Sequence, residues 1–133
     1  MPQYATARDL GQLGLRRLAT AGVPAEDIDA ALLAASEVAD GYLRAQYQLP
    51  LTDWGTDLRR HVAMIAAWDI LSAQRGFNPD LPGDRVWLAR YEQAIGWLRD
   101  VAGGLVTPNV TDSARAKARV GAPRVLTKEP RGW

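Results

Sequence analysis

Residues 24–51 read "PAEDIDAALLAASEVADGYLRAQYQLPL" and carry the clearest amphipathic pattern in the chain. Pro24 suits the first turn of a helix, where its missing N–H is no loss. At about 100° per residue, eight residues fall on one side, which we expect to be buried: Ile28, Leu32, Ala35, Val38, Ala39, Tyr42, Leu43 and Gln46. Three charged residues fall on the opposite, solvent side: Glu37, Asp40 and Arg44. Pro50 cannot continue a helix and favours an extended conformation at Leu49.

Three further helices flank this segment. Thr6 and Asp9 form a capping-box-like pair that predicts a first helix over about 7–18. Thr56 can cap a third helix over about 57–75, and its apolar residues surround it almost completely, which predicts a central position. A fourth helix is predicted over about 84–102, and Gly103-Gly104 ends it. Its buried stripe comprises Trp87, Leu88, Tyr91, Ala94, Ile95, Leu98 and Val101.

No segment has a strand pattern that competes with these helices. The sequence therefore predicts an all-α fold, a small antiparallel bundle of about four helices with an extended C-terminal tail.

The chain divides by charge after the fourth helix. Residues 1–102 carry ten Lys/Arg and thirteen Asp/Glu for a net charge of −3, whereas residues 103–133 carry six and two for +4. The segment after Gly104 contains three prolines and no sustained amphipathic period. We therefore predict a helical domain over 1–104 and an extended basic tail over 105–133.

Signals of catalysis are weak. The absence of cysteine excludes disulfides and thiolate metal sites. The only histidine, His61, lies inside the third helix, where a position at the edge of the core is the ordinary explanation. No Gly-rich phosphate loop follows a strand, and no serine, histidine and acid can be placed together. We expect no enzyme activity, no cofactor and no metal.

Membrane and secretion signals are also missing from the sequence. No apolar run approaches the length of a membrane span, and the first residues lack a basic start followed by an apolar block. We expect no membrane association and a cytosolic setting.

Six residues are candidates for contacts between subunits: Ala30, Ala34, Gly41, Asp69, Val86 and Trp97. The first three form a small-residue strip beside the buried face of the second helix. This strip permits close approach of a helix from the same or a neighbouring subunit, or it is a tolerated weak spot. Asp69 falls on the apolar side of the third helix, where a carboxylate needs a partner in the same subunit or across an interface. Trp97, beside Val86, is an interface anchor or a single exposed aromatic residue.

The basic tail supports two hypotheses. Its six cations could neutralise nucleic-acid phosphates. In this first hypothesis the protein is a small nucleic-acid-binding accessory protein, which is the alternative to the protein-binding strap described next. Aromatic stacking platforms are absent apart from Trp133, and the prolines and valines favour an extended strap that orders on a protein surface. The residues assigned to this strap are Arg115, Lys117, Arg119, Val120, Pro123, Arg124, Val125, Lys128, Arg131 and Trp133.

Four segments resemble the Mu-like prophage neck proteins, which are related in fold to the head–tail connector (adaptor) proteins of tailed phages. These segments are "YATARDL" (4–10), "DGYLRAQYQLPL" (40–51), "AAWDI" (66–70) and "RYEQAIGWLRDVAGG" (90–104), and the resemblance spans residues 3–105. The positions that carry it are Asp40, Gly41, Tyr42, Leu43, Tyr47, Leu49, Pro50, Leu51, Asp69, Tyr91, Trp97, Leu98, Arg99 and Asp100.

The resemblance implies a helical bundle that assembles as a homo-oligomeric ring, typically a dodecamer, beneath the portal vertex of the capsid. Such a ring lies in the neck of the virion and links the portal protein to the tail or to the next neck protein. DNA passes through its lumen without sequence-specific binding, and none of the matching positions has a catalytic role. By analogy with related adaptors, the tail after Gly104 docks on the portal.

Overall fold

The computed structural model describes residues 3–14, 23–75, 78 and 80–114. Four α-helices form the body of this part of the chain: α1 (Ala7–Gln12), α2 (Ala25–Leu43), α3 (Thr56–Ile70) and α4 (Pro82–Ala102). A single π-helical stretch, Leu71–Arg75, continues α3. Two short strands, β1 (Leu51–Trp54) and β2 (Val110–Asp112), complete the fold. The predicted helical bundle is confirmed.

Helix α3 lies at the centre of the bundle, and α1, α2 and α4 all pack against it. Its buried residues cover nearly the whole circumference, as predicted: Leu58, Val62, Ala63, Met64, Ile65, Ala66, Ala67 and Ile70. The residue before the helix is Gly55, so Thr56 is its first residue and not its cap. The reason is that β1 leads directly into α3, and the Gly55 N–H still donates to the carbonyl of Asn109 across the sheet, at 2.8 Å.

Helix α2 ends before Gln46, and its buried face is partly rotated from the predicted one, since only Leu32, Ala35, Ala39 and Leu43 of the expected residues are buried. It ends at Leu43, and a turn follows in which the Tyr47 N–H donates to the Leu43 carbonyl. Its buried residues are Ala31, Leu32, Ala35, Ser36, Ala39, Asp40 and Leu43. Val38 and Gln46, which we expected to be buried, are exposed, whereas Asp40, expected in solvent, is only 4% exposed. The buried face is rotated because the N-terminal segment around Tyr4 covers the side that carries Ser36 and Asp40.

The small sheet corrects the expectation that no strand would form. Strands β1 and β2 pair antiparallel, with Leu51 opposite Asp112 and Trp54 opposite Val110. Strands of three or four residues are too short to produce a period-two pattern in the sequence. A side chain also joins the two strands at one end of the sheet. The Ser113 hydroxyl, directly after β2, donates to the carbonyl of Pro50, directly before β1, at 2.6 Å.

The remaining helices agree with the sequence in position and differ in detail. Helix α1 begins at the predicted residue, with the Asp9 carboxylate accepting from the Thr6 N–H at 2.8 Å. Residues 15–18 of the predicted first helix lie outside the described residues. Helix α4 begins at Pro82, two residues early, because proline suits the first turn. Within its stripe, Ala94, Leu98 and Val101 are buried and the other four residues are half-buried.

The peptide bond between Leu49 and Pro50 is cis. No helix in the part of the chain that the structure describes has the length and apolar character to cross a membrane.

Candidate functional site

One side of α2 is not covered by the other described residues. Six residues define this outer face of α2: Ala30, Leu33, Ala34, Glu37, Val38 and Gly41. All six are exposed, and the two large apolar side chains, Leu33 and Val38, keep 37% and 42% of their surface accessible. A Cβ atom placed on Gly41 would meet none of the described residues within 4 Å. The small-residue strip is therefore exposed within the described part of the chain, and none of the four helices packs closely against Gly41.

The outer face of α2 is also negatively charged. The helix contains no Lys, Arg or His. Glu37 lies within the face, and three more carboxylates, Glu26, Asp27 and Asp29, occupy the first turns of the helix. Apolar and acidic groups thus share one surface.

The other interface candidates lie in different surroundings. Asp69 is exposed, so the expectation that burial would force a partner on its carboxylate is wrong. Asp69 lies in the last turn of α3, where the buried side chains are instead Ile70 and, directly after the helix, Leu71. Val86 is 49% exposed, whereas Trp97 is half-buried.

Trp97 stacks on His61 and thereby joins α4 to α3. The two rings are parallel, with their centroids 4.1 Å apart. The Nδ1 atom of His61 lies 2.7 Å from the carbonyl oxygen of Asp57, which can only accept, so Nδ1 carries the proton. Burial lowers the pKa of His61, although the Asp57 carbonyl and carboxylate oppose this shift. The neutral ring therefore predominates at pH 7, at the edge of the core as the sequence predicted.

A buried polar cluster that the sequence reasoning missed joins the N-terminal segment to α2. The Tyr4 hydroxyl donates to the Oδ1 atom of Asp40. The Tyr4 N–H donates to the Ser36 hydroxyl at 2.9 Å, and that hydroxyl donates to the Leu32 carbonyl at 2.9 Å. Burial raises the pKa of Tyr4 well above its ordinary value, and the Asp40 carboxylate adds to this shift.

A signal for this cluster was present in the sequence. Ser36 and Asp40 are four residues apart, so they share one side of the helix, and both lie beside alanines that the pattern had already assigned to the core. Tyr4 and Asp40 also belong to the segments "YATARDL" and "DGYL", so two of the segments that carry the family resemblance meet in the core.

A surface cleft of 590 Å³ opens beside this cluster, between α1 and the start of α3. Its lining residues are Gln3, Tyr4, Thr6, Arg8, Asp9, Gln12, Trp54, Thr56 and Arg59. The Asp9 carboxylate is engaged by the Thr6 N–H and hydroxyl. Neither this cleft nor any other site within the described residues brings together three or more His, Asp or Glu side chains able to hold a metal ion.

The first ten residues of the predicted tail are attached to the body. Pro108 and Val110 are buried, and the Asn109 N–H donates to the Asp57 carboxylate at 2.9 Å. The Ser113 N–H donates to the carbonyl of Gln48 at 3.1 Å, so the chain reaches residue 114 beside the turn that follows α2. The ten strap residues, from Arg115 to Trp133, lie outside the described residues.

The chain matches a known protein family over most of its length. The model of the family described as bacteriophage Mu, Gp36 matches residues 2–126. The matched range contains all four segments that carry the resemblance and extends past residue 105, where that resemblance ended. A search of curated proteins found no match. Because the family match covers nearly the whole chain, the protein belongs to the bacteriophage Mu Gp36 family and is a phage protein.

Proposed function

We propose that this protein is a structural component of the phage neck, a head–tail connector whose subunits form a ring of twelve. The ring docks on the portal protein through the C-terminal tail and links the portal to the tail or to the next neck protein. DNA passes through the lumen, and the protein has no catalytic role and no cofactor. The observation that carries this proposal is the outer face of α2, which is apolar, exposed and open at Gly41.

The arrangement of surfaces supports a ring. A closed ring is built from heterologous contacts, in which two different patches of the same chain meet. The outer face of α2 is one such patch, because an exposed glycine and two alanines permit close approach of a neighbouring helix. Val86, which is exposed on α4, belongs to a second surface. Both surfaces lie on rigid helices of the bundle.

The attachment of the tail supports a docking role. Residues 105–114 are fixed to the body by β2 and by the hydrogen bonds of Asn109 and Ser113. The six basic residues that follow therefore start from a defined point on the surface. A tethered basic segment binds a partner at high effective concentration once the body is in place.

Native mass spectrometry of the portal complex tests this proposal. Full-length protein and a 1–114 truncation, which keeps β2, are each measured alone and with the portal protein of the same phage. We expect a fixed number of full-length subunits to join the portal and the truncated protein to join weakly or not at all. If neither form joins the portal and full-length protein binds duplex DNA with a steep salt dependence, the tail is a nucleic-acid arm and the connector proposal fails.

A pair of glycine variants tests the ring contact. Gly41 in α2 and Gly96 in α4 both lie inside helices, and neither has a neighbour within 4 Å of a Cβ position. We expect Gly41→Ala and Gly96→Ala each to raise the free energy of unfolding by about 1 kcal/mol, since alanine favours the helix. Only Gly41→Ala should weaken assembly on the portal. Equal assembly by the two variants would exclude the α2 outer face from the ring contact.

A further inference from the structure

The outer face of α2 has no cover within the described residues, although it presents two large apolar side chains. Leu33 and Val38 are both more than a third exposed. They lie among carboxylates, with Glu37 between them along the helix and Glu26 about two turns before Leu33. A surface of this composition fits a segment that carries both cations and aliphatic side chains.

The C-terminal segment of the same chain has this composition. Residues 115–133 contain six Lys/Arg and one Glu, for a net charge of +5, together with Val120, Val125 and Leu126. Helix α2 carries five carboxylates and no cation, and only Asp40 among these carboxylates is buried. The two parts of the chain are therefore complementary in charge and in their apolar content.

Residues 115–133 also begin close to the C-terminal end of α2. The Ser113 hydroxyl and N–H both contact the carbonyl of Gln48, at 3.1 Å. Gln48 follows Tyr47, whose N–H donates to the carbonyl of Leu43, the last residue of α2. The chain thus leaves the described structure beside the C-terminal end of α2, where the helix dipole favours cations.

The length of the segment is sufficient to cover the helix. Helix α2 has 19 residues and is about 28 Å long at 1.5 Å per residue. Residues 115–133 can extend to roughly 60 Å at 3.3 Å per residue. A chain that starts at the end of α2 can therefore run back along the outer face as far as Glu26. The tether keeps the effective concentration high, on the order of millimolar for short connections.

We infer that residues 115–133 dock on the outer face of α2 in the free subunit, with their cations facing Glu26 and Glu37 and their aliphatic side chains facing Leu33 and Val38. This inference goes beyond the proposed function and does not depend on it. If the connector proposal also holds, the portal competes with α2 for the same segment.

Paramagnetic NMR on the full chain tests the docking. The chain contains no cysteine, so Ala122→Cys provides a unique position for a nitroxide label in the segment. We expect the label to remove more than half of the amide signal intensity along the outer face of α2, from Ala30 to Gly41, and to spare the exposed residues of α4 around Glu92. Broadening centred on α4, on the cleft between α1 and α3, or on no surface would overturn the inference.

Charge reversal supplies the matched control. Glu26→Lys with Glu37→Lys should restore the α2 signals, whereas Glu92→Lys, an exposed reversal on α4, should leave the broadening unchanged. Sodium chloride at high concentration should also restore the signals in the unaltered labelled chain, which keeps the test valid if a variant folds poorly. Broadening that survives both charge reversal and salt contradicts the inference.

A mixture of labelled and isotope-enriched molecules distinguishes the source of the segment. Unlabelled ¹⁵N protein is mixed with nitroxide-labelled protein of natural isotope abundance. We expect no broadening in this mixture, because the segment docks on its own chain. Broadening there as strong as in the single species would assign the segment to a second copy and overturn the intramolecular contact.

Discussion

The Tyr4 hydroxyl and the Asp40 carboxylate meet where neither is reached by water, since the two residues are 1% and 4% exposed. A carboxylate in such a place needs donors, because an unpaired buried polar group costs several kcal/mol. Tyr4 supplies one donor and also packs edge-on against Trp54, with ring centroids 4.8 Å apart. The N-terminal segment is therefore held to α2 by a specific polar contact as well as by apolar packing.

Removal of the Tyr4 hydroxyl tests this contact. We expect Tyr4→Phe to lower the free energy of unfolding by about 1–3 kcal/mol, because Asp40 is left without its donor while the ring and its packing remain. Urea unfolding measures the change. Tyr42→Phe, at a half-buried tyrosine on the same helix, is the control and should change stability by less than about 0.5 kcal/mol. Equal effects of the two variants would show that the Tyr4 hydroxyl contributes nothing.

The half-buried His61 makes stability depend on pH in a defined direction. Burial lowers the pKa of His61 in the folded state, whereas the unfolded chain has the ordinary value of about 6.5. As the pH falls below that value, the unfolded state binds a proton first, so the free energy of unfolding decreases towards the folded-state pKa. Above the unfolded-state pKa of about 6.5, the contribution of His61 to the free energy of unfolding is constant.

Urea unfolding of the protein and of His61→Gln, at neutral pH and at about pH 5, measures this effect. We expect the protein to lose more stability on acidification than the variant does. The difference between the two losses isolates the contribution of His61 from that of every other group common to both proteins. Identical losses would mean that the imidazole is accessible to protons in the folded state.

Individual carboxylates show what the helical pattern could and could not predict. The pattern gives the direction of a side chain around its own helix. It does not give which sides of the helix the other elements cover, so Asp69, expected to be buried, is exposed and Asp40, expected in solvent, is buried. Asp40 is buried by a residue 36 positions away, and a contact at that separation cannot be read from local spacing.

At the scale of the elements, the existence of α2, α3 and α4 followed from their apolar periodicity, whereas their exact first residues and the sheet did not. Strand β2 is stabilised by contacts to residues far away in the sequence, with Asp112 accepting from the Gln48 N–H at 2.8 Å and Asn109 donating to Asp57. The Asp57 carboxylate joins β2 to α3. One of its oxygens accepts from the Asn109 N–H beside β2, and the other accepts from the Leu58 N–H at the start of α3 at 2.8 Å. The segment after Gly104 looked like a detached tail because none of these partners is local.

Two truncations test whether the start of the tail belongs to the folded body. A 1–104 protein lacks β2 and the buried residue Val110, whereas a 1–114 protein keeps both. We expect the shorter protein to be less stable by at least about 1.5–3 kcal/mol, the value of burying one such side chain. Urea unfolding followed by circular dichroism measures the difference. Equal stability would place the boundary of the folded domain at residue 104, where the charge and composition of the sequence change.

At the scale of the whole molecule, an acidic helix and a basic C-terminal segment belong to the same chain, and β2 brings the start of the segment to the end of that helix. The sequence predicted the helical bundle, the charge division and the family. It could not show that the small-residue strip of α2 stays open, since exposure depends on which faces the other helices cover. The exposed strip and the segment that can reach it suggest that self-association is controlled within the chain.

Neutralising basic residues of the 115–133 segment tests whether this segment limits self-association. If residues 115–133 cover the α2 outer face and the same face contacts the neighbouring subunit, only the uncovered fraction of molecules can associate, which weakens the apparent affinity in proportion. We expect Arg115→Gln, Lys117→Gln and Arg119→Gln together to shift self-association to lower protein concentration in sedimentation velocity experiments at low salt.

Substituting Ala116, Ala118 and Ala122 with Gln, which keeps the charge, is the matched control and should have no effect. Adding Gly41→Ala to the neutralised chain should reverse the gain, because a methyl group then projects into the contact. Unchanged or weaker association of the neutralised chain would mean that the segment does not shield the face through which subunits meet.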